Sequence, residues 1–383
     1  MSGLVFHVDN ERDQRTQLTA SDAMICKHSA VMNGYFKDNL VASFINTDLL
    51  KVGGRPSQPK KPPIINRGYY ARVHSINQII QHFLDAADKT TSKRRQIINL
   101  GSGFDTLSLQ LLQRKDEGLH IFEIDFDKII REKVATCVND DQIRHLLIPE
   151  NGTEYRKLPT DMINQKKAVA KVVSSAKETM NKENSKFSFG NMHFISGDLR
   201  EAKIIVEKLL KAGIEAAAPT LIITECVLVY LEKEESERLS NELSSILGEA
   251  AWITYDMISP NDIFGKTMIK NLTAARFSVP GFLDYPSLEA QIRRFLGTGW
   301  NEARCISMLT VYDNYISLEE RRRISRLEIF DEVEEWQMLM SHYSLTVAIK
   351  GTALLTVLPE PISPKISKVI LPLLPASTTP NKI

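Results

Sequence analysis

The sequence predicts an α/β fold in which a parallel sheet carries helices on both faces. Three observations predict it. Short apolar runs at residues 96–100, 119–125, 191–196, 220–225 and 251–257 alternate with amphipathic segments, among them 106–116, 200–212 and 234–248. The first run ends in a glycine turn, Gly101-Ser102-Gly103, before a periodic segment. Each of the next three runs ends at or just before an acid: Asp125, Asp198 and Glu225. Strands separated by helices argue a parallel sheet. Right-handed crossovers bring the carboxyl ends of its strands to one edge, where ligands bind.

The elements follow in order. Residues 20–50 read as helical, since Ala23, Ile25, Cys26, Val31, Phe36 and Leu40 recur at three- and four-residue steps. GGRPSQPKKPP is a loop. Ile76, Ile79, Ile80, Phe83 and Leu84 form the stripe of a second helix. Residues 1–95 are therefore a helical cap, and 96–257 the α/β core with a Lys-rich, partly helical insertion at about 140–190. Residues 258–320 are a further cap insertion over the sheet edge. Residues 321–358 supply one long amphipathic helix, RRRISRLEIFDEVEEWQMLMSHY, and two runs, SLTVAI and ALLTVL, expected to pair as an antiparallel hairpin. The Pro-punctuated tail 359–383 cannot be a regular helix.

Composition narrows the function. The chain has 383 residues, 25% of them charged, with a formal net charge of +1. No global field favours nucleic acid or an anionic membrane. Cys26, Cys137, Cys226 and Cys305 stand far apart with no CxxC pair, so neither a zinc site nor a redox dithiol is expected. The N-terminus lacks the pattern of a signal peptide, and no apolar stretch reaches the roughly 20 residues of a membrane helix. The expectation is a cytoplasmic protein, and nothing demands more than a monomer.

The glycine turn lacks the third glycine of the dinucleotide fingerprint, which disfavours a nicotinamide dehydrogenase. Asp105 stands where a helix N-terminus would receive a phosphate; it suits a cap and repels an anion. Asp125, after the second strand, can accept both hydroxyls of a ribose. A crevice rich in carboxylates and averse to phosphate fits a nucleoside bearing a cation, such as S-adenosyl-L-methionine. The methionyl carboxylate then needs a cation, for which Lys27 and Arg72 of the N-terminal region are candidates.

At this point the stretches CKHSAVMNGYFKD, INRGYYARVHSI, INLGSGFDT, FEIDFD, SGDLRE, ECVLVYL, NDIFGKTMIKNL and RLEIFDEVEEWQMLMSHY resemble leucine carboxyl methyltransferases, most of all the fungal form. The resemblance implies a Rossmann-like class I S-adenosylmethionine-dependent methyltransferase sheet. It implies methylation of the C-terminal leucine α-carboxylate of the protein phosphatase 2A catalytic subunit. It also implies that Lys27, Arg72, Gly101, Asp125, Asp198, Leu199 and Glu225 contact the cofactor. A sister branch joins a similar domain to a β-propeller and modifies a tRNA base. This chain shows neither room for a propeller nor a basic excess. A non-catalytic nucleoside-binding module is the remaining alternative.

A terminal carboxyl, with a pKa of about 3.5, is ionised at neutral pH, so methyl transfer to it needs no general base. No catalytic residue in that sense is expected, and no metal. Arg200 and Tyr230 are the candidates for holding the acceptor carboxylate, and His74 is the one histidine to inspect.

Overall fold

The structure, a computed structural model, describes residues 11–45, 51–52, 55–56, 60–147 and 186–357. Most of the Lys-rich insertion and the whole Pro-rich tail lie outside the described residues.

The main sheet has eight strands among these residues: β1 (Arg95–Leu100), β2 (Leu119–Asp125), β3 (Lys186–Phe189), β4 (Met192–Ser196), β5 (Thr220–Glu225), β6 (Ala250–Met257), β7 (Glu302–Ser307) and β8 (Tyr343–Lys350). Their order is β3-β4-β2-β1-β5-β6-β8-β7. The strands β4, β2, β1, β5 and β6 are parallel, as expected. β8 runs antiparallel to both β6 and β7, and β3 antiparallel to β4. All five strands read from the sequence are present, within a residue of their expected ends.

The central strands are mostly apolar because both faces are covered, with buried polar exceptions such as Gln96, Asn99, Glu123 and Thr224. Side chains alternate between the faces. Ile97, Ile121, Leu221 and Ile253 join one cluster, and Ile98, Phe122, Ile222 and Trp252 the other. The helices α1 (Glu11–Met32) and α2 (Pro63–Ala87) form the N-terminal cap; α2 buries Ile76, Ile79, Ile80 and Phe83 in the first cluster. The core helices then follow: α3 (Leu107–Leu112), α4 (Asp127–Asn139), α5 (Asp141–Leu147), α6 (Ala202–Ala212) and α7 (Lys233–Ile246). On the second face α6 and α7 contribute Ile205, Leu209, Leu239 and Leu243. Trp252 is fully buried there, edge-on to Phe295 and Trp300 at 5.3 and 5.6 Å, with its indole N–H donated to Thr224 at 2.9 Å.

Beyond β6 the chain departs from the sequence reading. The segment 258–320 holds α8 (Ile263–Ala274), α9 (Pro280–Asp284), α10 (Leu288–Leu296), β7 and α11 (Met308–Asn314). It thus adds a strand to the sheet as well as helices. The hairpin expected from SLTVAI and ALLTVL is not formed: β8 pairs on its outer side with β7. After Gly351, at φ +82°, the backbone N–H of Ala353 donates to Glu249 at 2.9 Å, and Leu355–Val357 closes as a single 3-10 turn. With both edges of β8 already bonded, a returning strand has no ladder to join. The long helix expected over 321–343 is broken into α12 (Leu318–Ile324) and α13 (Val333–Ser341). Between them Glu328 turns inward to accept from Asn66 at 2.9 Å, and Phe330 lies 3.8 Å from the Arg67 guanidinium. These inward contacts replace the helical hydrogen bonds of the segment. No Pro or Gly marks the break in the sequence.

Candidate active site

At the carboxyl edge of the sheet lies a cavity of about 440 Å³, roofed by α1 and the first turns of α2. That volume falls within the usual range for small-molecule sites. Its walls include all nine residues that the sequence assigned to the cofactor or the acceptor: Lys27, Arg72, Gly101, Asp125, Asp198, Leu199, Arg200, Glu225 and Tyr230. Parallel strands place their ends side by side, and β8, entering from the opposite direction, adds Tyr343 to the same edge.

The glycine turn needs its glycines. Gly101 has φ +65°, and a Cβ there would meet the Val227 side chain at 2.5 Å. Gly103, at φ +49°, faces Ala20 of α1. Its N–H donates to Asp125 Oδ2 at 2.7 Å, while Phe126 N–H donates to Oδ1 at 2.7 Å. Each carboxylate oxygen therefore keeps one lone-pair direction for the cavity. Burial pushes the Asp125 carboxyl up to about 6, against the pull of those two N–H groups. Beyond it, Phe126, Phe104 and Ile129 form an apolar end of the cavity.

Every cation in the wall is already matched with a carboxylate. Lys27 Nζ donates to Asp105 at 2.6 Å and Thr106 at 2.7 Å, and lies 3.1 Å from Asp38. Burial would lower its pKa, but Asp105 and Asp38 hold it above its ordinary value. An ammonium has three donors, and all three are directed into this cluster. Asp38 accepts in addition from Leu40 and Val41 N–H and from Gln110, so it fastens the cap to the helix that follows the glycine turn. Arg72 Nε donates to Glu225 at 2.6 Å. Among the described residues its two terminal nitrogens carry no hydrogen bond, and its guanidinium lies 4.8 Å from the Tyr255 ring.

Arg200, expected to hold the acceptor carboxylate, is engaged by carboxylates of the chain itself. Its Nε and Nη2 bond Asp198 at 2.5–2.9 Å, and its two Nη atoms bond Asp13 of α1 at 3.0 and 2.8 Å. A guanidinium spanned by two carboxylates is a strap between cap and core, with no donor pair left for an acceptor. The neighbouring Arg12 donates to the Tyr230 carbonyl at 2.7 Å, fastening the same end of α1. His74 stacks on Tyr70 at 5.2 Å and does not line the cavity.

The sequence reading missed Asp13, Asp38, Tyr69, Tyr255 and Tyr343. The first two are single acids in the cap, whose partners are set only by long-range packing. The tyrosines read as ordinary strand or helix residues. Cys226, next to Glu225, adopts φ +55°, a left-handed conformation rare outside glycine. Among the described residues no helix is long and apolar enough to cross a membrane.

Comparison with known proteins bears on this geometry. The family model for leucine carboxyl methyltransferase matches residues 15–244. Leucine carboxyl methyltransferase 1 of Rattus norvegicus is 33% identical over 342 residues, which cover 88% of this chain and 91% of that protein. The protein of the same name from Yarrowia lipolytica is 32% identical over 349 residues, covering 88% and 97%. The tRNA wybutosine-synthesizing protein 4 of Homo sapiens is 29% identical over 359 residues, covering 92% of this chain but 46% of that protein.

Proposed function

The chain belongs to the leucine carboxyl methyltransferase family, and from that premise we propose that it transfers a methyl group from S-adenosyl-L-methionine to the C-terminal leucine carboxylate of the protein phosphatase 2A catalytic subunit. The carrying observation is the meeting of the glycine turn, Asp125 and the Arg72–Glu225 pair in one cavity. The residues present fit the cofactor. Asp125 offers two acceptor directions for a ribose, with an apolar end beside it for a base. Asp198 and Leu199 line the same cavity, Gly101 lets the backbone approach closely, and the outer nitrogens of Arg72 suit a carboxylate. Lys27 contributes from behind, by fixing Asp105 and Thr106 under the turn.

When bound, the cofactor supplies a methyl group on a sulfonium, so transfer exchanges a C–S bond for a C–O bond and moves no proton. The protein therefore needs to position, desolvate and leave the acceptor nucleophilic. Near-attack positioning alone can be worth roughly 7–11 kcal/mol. Glu225 already balances the charge of Arg72, so the guanidinium can orient a carboxylate without adding a large net positive field. The reading includes a monomer acting in the cytoplasm on the phosphatase tail, which fits four thiols that are all free.

The test is incubation with labelled methyl donor and the phosphatase catalytic subunit, with and without its terminal leucine. Label that requires the leucine is expected. Label in tRNA instead would move the chain to the sister branch. Binding of the donor with no transfer to either would support a nucleoside-binding module.

A further inference from the structure

At the end of the cavity away from Asp125, four tyrosines surround Arg72: Tyr69, Tyr230, Tyr255 and Tyr343. Tyr255 and Tyr343 lie diagonally across the β6–β8 ladder, where Tyr255 faces Leu345 and Tyr343 faces Met257, and their rings stack at 5.2 Å with 15° between planes. Among the described residues the hydroxyls of these two make no hydrogen bond, although both side chains line the cavity. Both hydroxyls are therefore open to a partner within the cavity. Tyr69 lies beneath Arg72 with Cys26 nearby, and Tyr230 is close to Thr19, so those two have protein neighbours.

The matching of cavity cations with carboxylates sharpens the question of what holds the acceptor. Arg12, Lys27, Arg72 and Arg200 each pair with a carboxylate of the chain itself. The terminal nitrogens of Arg72, which carry no hydrogen bond among the described residues, are claimed by the cofactor carboxylate in the function proposed above. Two carboxylates enter this cavity during the reaction, and the second needs donors of its own.

We propose that the hydroxyls of Tyr255 and Tyr343 hold the acceptor carboxylate, making these two tyrosines its positioning residues. A phenol donates one hydrogen bond without carrying charge. It therefore fixes an oxygen while leaving its lone pair more available than a guanidinium would. Burial keeps both phenols protonated, with their pKa values raised above the ordinary range. Their stacked rings also form an apolar wall beside the reacting oxygen. The inference rests on the proposed function and deepens it.

The experiment compares wild-type chain with Tyr343→Phe, Tyr255→Phe and the double variant, each with labelled methyl donor and the phosphatase catalytic subunit. Phenylalanine keeps the ring and the stack. Each single loss is expected to lower kcat/KM for the acceptor by about 10- to 100-fold, the range for a hydrogen bond to a charged group. The Kd for the methyl donor, measured by calorimetry, should stay within about twofold, and the melting temperature should be unchanged. Wild-type kcat/KM in all three variants would overturn the inference while leaving the methyltransferase reading intact. A donor Kd rising in step with the loss of activity would also overturn it, by assigning the hydroxyls to the cofactor. If the wild-type chain itself gives no leucine-dependent label, the functional reading fails and the inference falls with it.

Discussion

Asp125→Ala is expected to weaken cofactor binding by about 100-fold or more while leaving the fold intact. The magnitude follows from lone pairs. Each carboxylate oxygen accepts one backbone N–H, from Gly103 or Phe126, and keeps one direction for a ribose hydroxyl. A hydrogen bond to a charged group is worth about 1.5–3 kcal/mol net, so losing two removes about 3–6 kcal/mol. Water entering the vacated space offsets part of this, which sets the lower end as the expectation. Stability should move little. The two N–H groups lose an acceptor at the cavity wall, where water can replace it, while a partly buried charge disappears.

A pH arm tests the same reasoning. Burial pushes the carboxyl up to about 6, and only the ionised form offers two charged acceptors. Apparent affinity should therefore fall about tenfold between pH 7 and pH 5, as the ionised fraction falls. For folding the sign is opposite. The native carboxyl binds its proton more tightly than the unfolded one, so this group adds stability as pH drops from about 6 towards 4. That two-unit shift corresponds to about 3 kcal/mol at most. Calorimetric titration of the wild-type chain and Asp125→Ala across this range checks the prediction. Wild-type affinity in Asp125→Ala, or an identical pH slope in the two proteins, would refute the assignment.

Gly101→Ala should lose cofactor affinity and at least about 1 kcal/mol of stability, because L residues are strained at φ +65° and the new methyl meets Val227 at 2.5 Å. Adding Val227→Ala should recover the clash but not the strain, which a double-mutant cycle in thermal melts would resolve. Arg200→Ala should loosen the strap from Asp13 to Asp198 and raise the cofactor Kd. Loss of turnover at unchanged cofactor Kd would instead return Arg200 to the acceptor. Trp252→Ala should destabilise by about 3–5 kcal/mol, since a fully buried indole leaves a cavity among Phe295, Trp300 and Thr224; chemical denaturation measures it.

The sheet was legible because strands buried on both faces announce themselves as predominantly apolar runs, as QIINL and TLIITE do. The edge was legible because strand-end residues fall at fixed places after those runs, and so Gly101, Asp125, Asp198 and Glu225 were found. The failures share one cause. The break between α12 and α13 and the pairing of β7 with β8 both depend on partners distant in the chain. In each case residues with a reasonable local preference were redirected by a contact of long range. Periodicity identified α2 but gave no sign of which carboxylate would meet Arg72.

For the proposed reaction, the charge pattern follows from what the transition state is. A carboxylate and a sulfonium approach each other, and their charges shrink as the new bond forms. Fixed charges that stabilise either reactant more than the transition state raise the barrier. A cavity walled by unmatched cations would grip the acceptor and slow its transfer. Here Arg72 is balanced by Glu225, Lys27 by Asp105 and Asp38, and Arg200 by Asp198 and Asp13. The tyrosine end then offers donors without charge. The same matching keeps the cap closed, because two of these sets, at Lys27 and at Arg200, tie α1 to the core. Neutralising the wall and roofing it against water are thus one arrangement of residues, and breaking either tie should cost both.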